Sequence, residues 1–192
     1  MTAFDDADGP AGRSYGGQSV DGLLEAFAQR TPAPGGGAAA ALTVAVSAGL
    51  AGMAARYSVD VLDDAQQLAD LADDCRKTAT QLADDDGLAY AQVLAARSDA
   101  DRSTALRAAA EVVLAIAEVG AETAQLAGRL AENGKPSIRG DARTGAVLAA
   151  AATRAAVDLV RIDVSASGDD AAVLDRARTA LERASAAGQG SG

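Results

Sequence analysis

The feature that most constrains the fold is the segment Thr31-Pro32-Ala33-Pro34-Gly35-Gly36-Gly37, together with the charge-free run at 38–55 that follows it. Two prolines fix φ and three glycines lack a Cβ, so the segment is a loop, and Ala38 opens a helix of small residues. That order leaves unhindered backbone N–H groups at a helix N-terminus, where unpaired donors and the helix dipole favour an anionic group. The competing reading is plain punctuation between two helices. A nucleotide-binding P-loop does not fit, because no Gly-Lys-Ser/Thr follows. The run lies between Arg30 and Arg56 and is long enough to cross a bilayer. It is mostly Ala, Gly, Ser and Thr, and its larger apolar side chains are Leu42, Val44, Val46, Leu50 and Met53, so it reads as a core helix of a soluble protein. Ala41, Ala45 and Gly49 form a stripe that lets another backbone approach closely.

The rest of the composition narrows the choices. A chain of 192 residues fits one domain. Hydrophobic residues make up 49% but aromatics only 3%, with no Trp, so the core is built from Ala, Leu and Val. Alanine-rich helices bury little area each, and further burial by oligomerisation is expected. A net charge of -10 and a pI near 4.4 oppose nucleic acid or an anionic membrane as partner. The single Cys75 excludes an internal disulfide, and the N-terminus lacks a basic-then-apolar signal pattern, so a cytoplasmic protein is expected. Cys75 shares helical spacing with Leu71 and Leu82, which places it in the core. There is no histidine. Acid–base chemistry therefore falls to Asp, Glu, Lys, Tyr, Cys or an ordered water.

Along the chain, residues 1–18 are rich in Gly and Asp and read as a disordered lead-in. Ser19 is a candidate N-cap for a helix to residue 30, with Leu23, Leu24 and Phe27 as its apolar stripe. A third helical segment at 61–97 carries Leu62, Leu68, Leu71, Cys75, Leu82 and Val93. Within it, Asp84-Asp85-Asp86-Gly87 is a candidate interruption, and Asp86 shares a face with Tyr90 if the helix continues. The next helix spans 103–132, with Gly120 and Gly128 as candidate bends, and Asn133-Gly134-Lys135-Pro136 stops it. Asp141 opens another helix, whose Gly145, Ala149, Ala152 and Ala156 form a second narrow stripe, and the two striped helices are expected to pack closely. Asp169 begins a last amphipathic helix through Leu174, Ala177 and Leu181. Together these give an all-α protein: a compact bundle of about five or six helices with Ala/Gly-rich central helices. One domain at 19–186 is expected, followed by a frayed tail at 187–192.

Four segments carry a resemblance. Pro32-Ala33-Pro34-Gly35-Gly36-Gly37-Ala38-Ala39-Ala40 resembles the Pro-x-Pro-Gly-Gly-Gly-Ser/Ala segment of the formiminotransferase-cyclodeaminase and methenyltetrahydrofolate cyclohydrolase family. Asp86-Gly87-Leu88-Ala89-Tyr90 is similar to its Asp-x-x-Ala-Tyr/Phe segment, Gly140-Asp141 to its Ser-Asp, and Val160-Arg161-Ile162-Asp163 to its Val-Arg-Ile-Asn ending. Gly134-Lys135-Pro136-Ser137 stands where members typically carry Gly-Asn-x-Asn. Gly140 replaces a Ser, and Leu159 and Asp163 replace two further Asn residues.

The resemblance implies a helical bundle, usually a homodimer, that takes a tetrahydrofolate derivative as substrate and needs no metal or separate cofactor. One activity hydrolyses 5,10-methenyltetrahydrofolate to 10-formyltetrahydrofolate. The other cyclises 5-formiminotetrahydrofolate and releases ammonia. Both pass through a cationic amidinium carbon, which a carboxylate would stabilise while deprotonating water. Asp141 is expected as the principal catalytic group, facing the glycine turn, with Asp86 as the second. Their plainer readings are a helix N-cap and a surface charge. Pro34, Gly35, Gly36, Gly37, Tyr90, Lys135 and Ser137 are the expected substrate-binding positions. Tyr90 would stack on the pterin or pack in the core, Lys135 would hold the folate glutamate or sit in solvent, and the glycines would serve the ligand or close helix packing. A non-catalytic relative that binds a ligand or partner, and a plain helical interaction module, are the competing functions.

Overall fold

The computed structural model describes residues 14–168 and 170–189. The lead-in at 1–13, the expected helix start at Asp169 and residues 190–192 lie outside the described residues. Six helices appear in order among the described residues: α1 (Val20–Ala28), α2 (Gly36–Tyr57), α3 (Ala65–Ala95), α4 (Asp99–Asn133), α5 (Arg139–Ser167) and α6 (Ala171–Gln189). Short 3-10 turns at Tyr15–Gly17 and Pro136–Ile138 precede α1 and α5, and no strand occurs among the described residues.

Local signals set several boundaries. Ser19 caps α1, its Oγ accepting the Gly22 N–H at 3.1 Å. Ser98 does the same for α4 through the Asp101 N–H at 3.1 Å, which starts that helix earlier than residue 103. At α6 the cap is Asp170, whose Oδ1 accepts the Val173 N–H at 3.2 Å. The Asp84–Gly87 cluster does not break α3, which runs unbroken from Ala65 to Ala95.

Close approach of small residues places the helices. Gly145 of α5 lies against Leu50 and the Ser47 carbonyl of α2, and Gly36 of α2 lies against Leu159 of α5, so the two run antiparallel. Gly52 meets Ala72, and Gly37 meets Asp86, so α3 is antiparallel to α2 as well. Gly120 of α4 sits between Val44 and Thr153. Thus α2 is held by α3, α4 and α5, with 12 of its 22 residues buried. It is the one described helix long and apolar enough to cross a membrane, and it is the core helix of the bundle.

The two helices that carry the small-residue stripes pack closely, as expected, and Ala41 shares a core cluster with Ala149 and Ala156. Ala45 packs with Ala79 of α3 as well as Ala152, and Gly49 looks toward Arg76 of α3. Most buried side chains are single methyls, and the largest fully buried ones are Leu114, Ile116 and Leu130. Cohesion therefore comes from backbone proximity more than from bulk.

Both ends differ from expectation. Tyr15 is buried in the main core cluster, so residues 14–18 are ordered on α3 rather than part of a loose lead-in. At the other end Ala187 packs against Gly128, and α6 continues to Gln189, so the tail does not begin at 187. Leu24 and Leu71 face solvent rather than the core.

Candidate active site

The loop before α2 ends with Gly35 in extended conformation and offers no side-chain cap. The cap comes from another helix. Asp86 of α3 reaches the first turn of α2, and its Oδ2 accepts the Ala38 N–H at 2.9 Å. A Cβ at Gly37 would overlap this carboxylate, so glycine is needed there for close approach. Among the described residues, no protein acceptor takes the Gly36 or Gly37 N–H. The helix N-terminus thus holds one built-in carboxylate and two open donors. Pro34 is buried behind the turn, after a cis Ala33–Pro34 peptide bond, whereas Gly36 is exposed.

A second carboxylate arrives from α5. Asp163 lies one turn beyond Leu159, whose methyl carbon is 3.5 Å from where a Gly36 Cβ would stand. Burial, and then the charge of Asp86, push the Asp163 carboxyl up to about 6. Burial also raises Asp86, partly offset by the Ala38 N–H. Among the described residues no Lys or Arg forms an ion pair with either group. Tyr90 stands one turn past Asp86 and is exposed, so it is available to a ligand rather than packed in the core.

The remaining expected site residues sit elsewhere. Lys135, Ser137 and Asp141 gather at the C-terminal end of α2. The Lys135 N–H donates to Ser58 Oγ at 2.9 Å, and its Nζ pairs with Asp60 at 2.9 Å. Ser137 and Asp141 are exposed, and Asp141 lies in the first turn of α5, past the N-cap Ile138. At 1.5 Å per residue, the 22 residues of α2 separate the two groups by about 33 Å. Within one chain, therefore, Asp141 does not face the glycine turn, and its N-cap reading also gives way to a favourable first-turn charge.

A family profile described as formiminotransferase-cyclodeaminase matches residues 19–182. The chain belongs to this family. The methenyltetrahydrofolate cyclohydrolase of Methylorubrum extorquens is 30% identical, over 87% of this chain and 88% of that protein. The solved formiminotetrahydrofolate cyclodeaminase of Thermotoga maritima matches with a TM-score of 0.81 at 25% identity, over 91% of each chain.

Two residues at the candidate site escape a reading of the sequence. Asp163 registers there only as a lost Asn, and the antiparallel register of α2 and α5 is what carries it to the glycine turn. Tyr15 falls in a Gly/Asp-rich stretch. The available signal was a tyrosine just ahead of the capping Ser19, in a chain with three Tyr and two Phe.

Proposed function

We propose that this chain is a folate one-carbon enzyme that hydrolyses 5,10-methenyltetrahydrofolate to 10-formyltetrahydrofolate at the N-terminus of α2. The observation that carries the reading is Asp86: an unpaired, half-buried carboxylate beside two open N–H donors, in a chain of this family. The substrate's bridging carbon is an amidinium cation. Asp86 stabilises it and takes a proton from the attacking water, forming a tetrahedral adduct. Collapse of the adduct breaks the bond from this carbon to the pterin nitrogen, which needs a proton. Asp163, protonated over part of the physiological range, supplies it. The adduct hydroxyl loses its proton to solvent, and Asp86 then returns the pair to one shared proton. The open Gly36 and Gly37 N–H groups hold folate oxygens, and exposed Tyr90 offers a ring to the pterin. No cofactor beyond the folate enters these steps.

The reading includes a homodimer in a cytoplasmic setting. The face formed by α2 and α5 exposes Val46, Tyr57 and Ile162 at 57–62% of their surface. Asp141 and Asp163 are 22 residues apart on α5, which leaves them within about 40° of one helical face. A two-fold axis near Val46, with the α2 helices antiparallel, exchanges the two ends. It brings Lys135, Ser137 and Asp141 of one copy toward Gly36, Asp86 and Asp163 of the other.

The test follows the loss of methenyl absorbance with purified protein. Turnover that survives in Asp86→Asn removes Asp86 from the chemistry. Tight folate binding without turnover favours a non-catalytic relative. Faster ammonia release from 5-formiminotetrahydrofolate favours the cyclodeaminase reaction, the second reading, which the Thermotoga maritima structure supports. Shared sites are tested by mixing inactive Asp86→Asn and Asp141→Asn chains. Random mixed dimers restore about a quarter of the activity if the two copies complete one another, and none if each site lies within one chain.

A further inference from the structure

Tyr15 precedes the family-matched region, which begins at residue 19, yet it is seated beside the candidate site. Its backbone N–H donates to Asp84 Oδ1 at 2.7 Å. Its phenol lies over Gly87, where a Cβ would come within 2.8 Å of the hydroxyl oxygen. The neighbouring Gly16 is pressed against Thr80. The acidic run of α3 is therefore divided by task. Asp84 anchors the N-terminal turn, Asp86 caps α2, Gly87 makes room for the phenol, and Asp85 pairs with Gln81 at 3.0 Å. The Tyr15 ring is buried in the main core cluster, and among the described residues its hydroxyl donates no hydrogen bond.

We infer that Tyr15 is a positioning residue for Asp86, supplied by the segment ahead of the family-matched region, and that its ring acts by covering one side of the carboxylate from water. This rests on the reading of Asp86 as the reacting carboxylate. The groups around Asp86 are few. Among the described residues, from α5 comes Asp163, from α2 the Ala38 N–H and no charged side chain, from the N-terminal turn Tyr15, and from α3 itself Tyr90 one turn on and the engaged Asp84 and Asp85. Burial is the larger influence on Asp86 and holds its carboxyl above the usual range. Removing the cover lets water in and lowers that midpoint. Since the ionised form accepts the proton, the acid limb of the pH–rate profile then moves to lower pH, while the base becomes weaker.

The variants are Tyr15→Ala, Tyr15→Phe and Gly87→Ala, the last of which pushes the phenol out through its new Cβ. The readouts are the pH dependence of kcat and KM with methenyltetrahydrofolate, and the titration of Asp86 followed by carbon NMR in aspartate-labelled protein. In Tyr15→Ala and Gly87→Ala the Asp86 midpoint and the acid limb both fall, and kcat drops about three- to tenfold with KM within twofold. Tyr15→Phe keeps the wild-type midpoint and limb, because the ring supplies the cover. An Asp86 midpoint unmoved in both disruptive variants overturns the inference, as does a Tyr15→Phe variant that behaves like Tyr15→Ala. Absence of folate turnover in the wild type sinks the proposed reaction instead, and the NMR titration still decides the role of Tyr15.

Discussion

The two ends of α2 treat charge in opposite ways. Around its C-terminus charges form pairs: Arg56 with Asp73, Arg129 with Asp64, and Lys135 with Asp60. Ser58 joins the turns there, donating to the Ala54 carbonyl and accepting the Lys135 N–H. Around the N-terminus two carboxylates, Asp86 and Asp163, stand without a basic partner among the described residues, half-buried and raised in pKa. Paired charges in solvent cost little to keep and contribute little. Unpaired carboxylates held near each other in a partly dry site oppose folding, and they persist where chemistry uses them. The difference supports the proposal that Asp86 and Asp163 are reacting groups, and substitutions at these carboxylates and at the paired charges should give different kinds of loss.

The largest effect is expected at Asp86. Asp86→Asn keeps an oxygen for the Ala38 N–H, so the helix remains capped while the base is gone. Turnover should fall about 10²–10⁴-fold with little change in thermal unfolding. Gly37→Ala should reach a similar loss by another route, since its methyl displaces the carboxylate even though alanine is the better helix former. If Gly37→Ala retains wild-type turnover, the contact between the turn and Asp86 is not needed and the comparison of the two ends fails.

What could be read beforehand follows the range of each interaction. The Ser19 cap spans three residues and was legible, as was the number of helices, because periodicity and proline–glycine punctuation are local. The small-residue stripes announced that α2 and α5 approach closely. They did not say that Gly145 meets Ser47 and Leu50 while Gly49 turns to α3, because a stripe identifies a face and not its neighbour. The bond from Asp86 to Ala38 joins positions 48 residues apart, and only the family resemblance singled out that aspartate. Asp141 was placed opposite the glycine turn by the same resemblance. Motifs in the correct order do not reveal that α5 carries two of them to opposite ends of the bundle. Asp163 was legible only as a departure, since its meaning depends on the register that brings it beside Asp86.

Asp163 gives a smaller effect with an informative sign. Its folded midpoint, near 6, lies above the ordinary carboxylate value, so the folded chain binds this proton more tightly than the unfolded chain. Ionised Asp163 therefore opposes folding, increasingly as pH rises from about 4 to 6 and fully above that. Asp163→Asn removes the burden. At pH 7.5 the variant should be more stable by about 1–2 kcal/mol, a figure reduced for the partial exposure of the group, and the gain should vanish near pH 4. Turnover should fall at the same time, because the proton donor is lost. Urea unfolding at the two pH values measures the first effect and initial rates the second. A variant that is less stable than wild type at pH 7.5 would show that Asp163 is a structural acceptor rather than a strained acid.

The smallest effect belongs to the paired end. Arg129 reaches Asp64 with two hydrogen bonds, Nη1 to Oδ2 at 2.7 Å and Nη2 to Oδ1 at 3.0 Å, and so ties α4 to the residue preceding α3. The fork geometry favours the pair, but both side chains remain substantially exposed, and solvent and salt screen most of the attraction. Arg129→Gln should therefore cost about 0.5–1 kcal/mol at low salt, less at high salt, and leave turnover unchanged. The salt dependence is the decisive part. An electrostatic tether weakens as ionic strength rises, whereas a loss that stays constant from low to high salt would come from packing of the arginine stem against the helix ends. Should Arg129→Gln instead reduce turnover without destabilising the chain, the Arg129–Asp64 pair itself would be acting in the reaction, and the contrast between paired charges and reacting carboxylates would no longer hold.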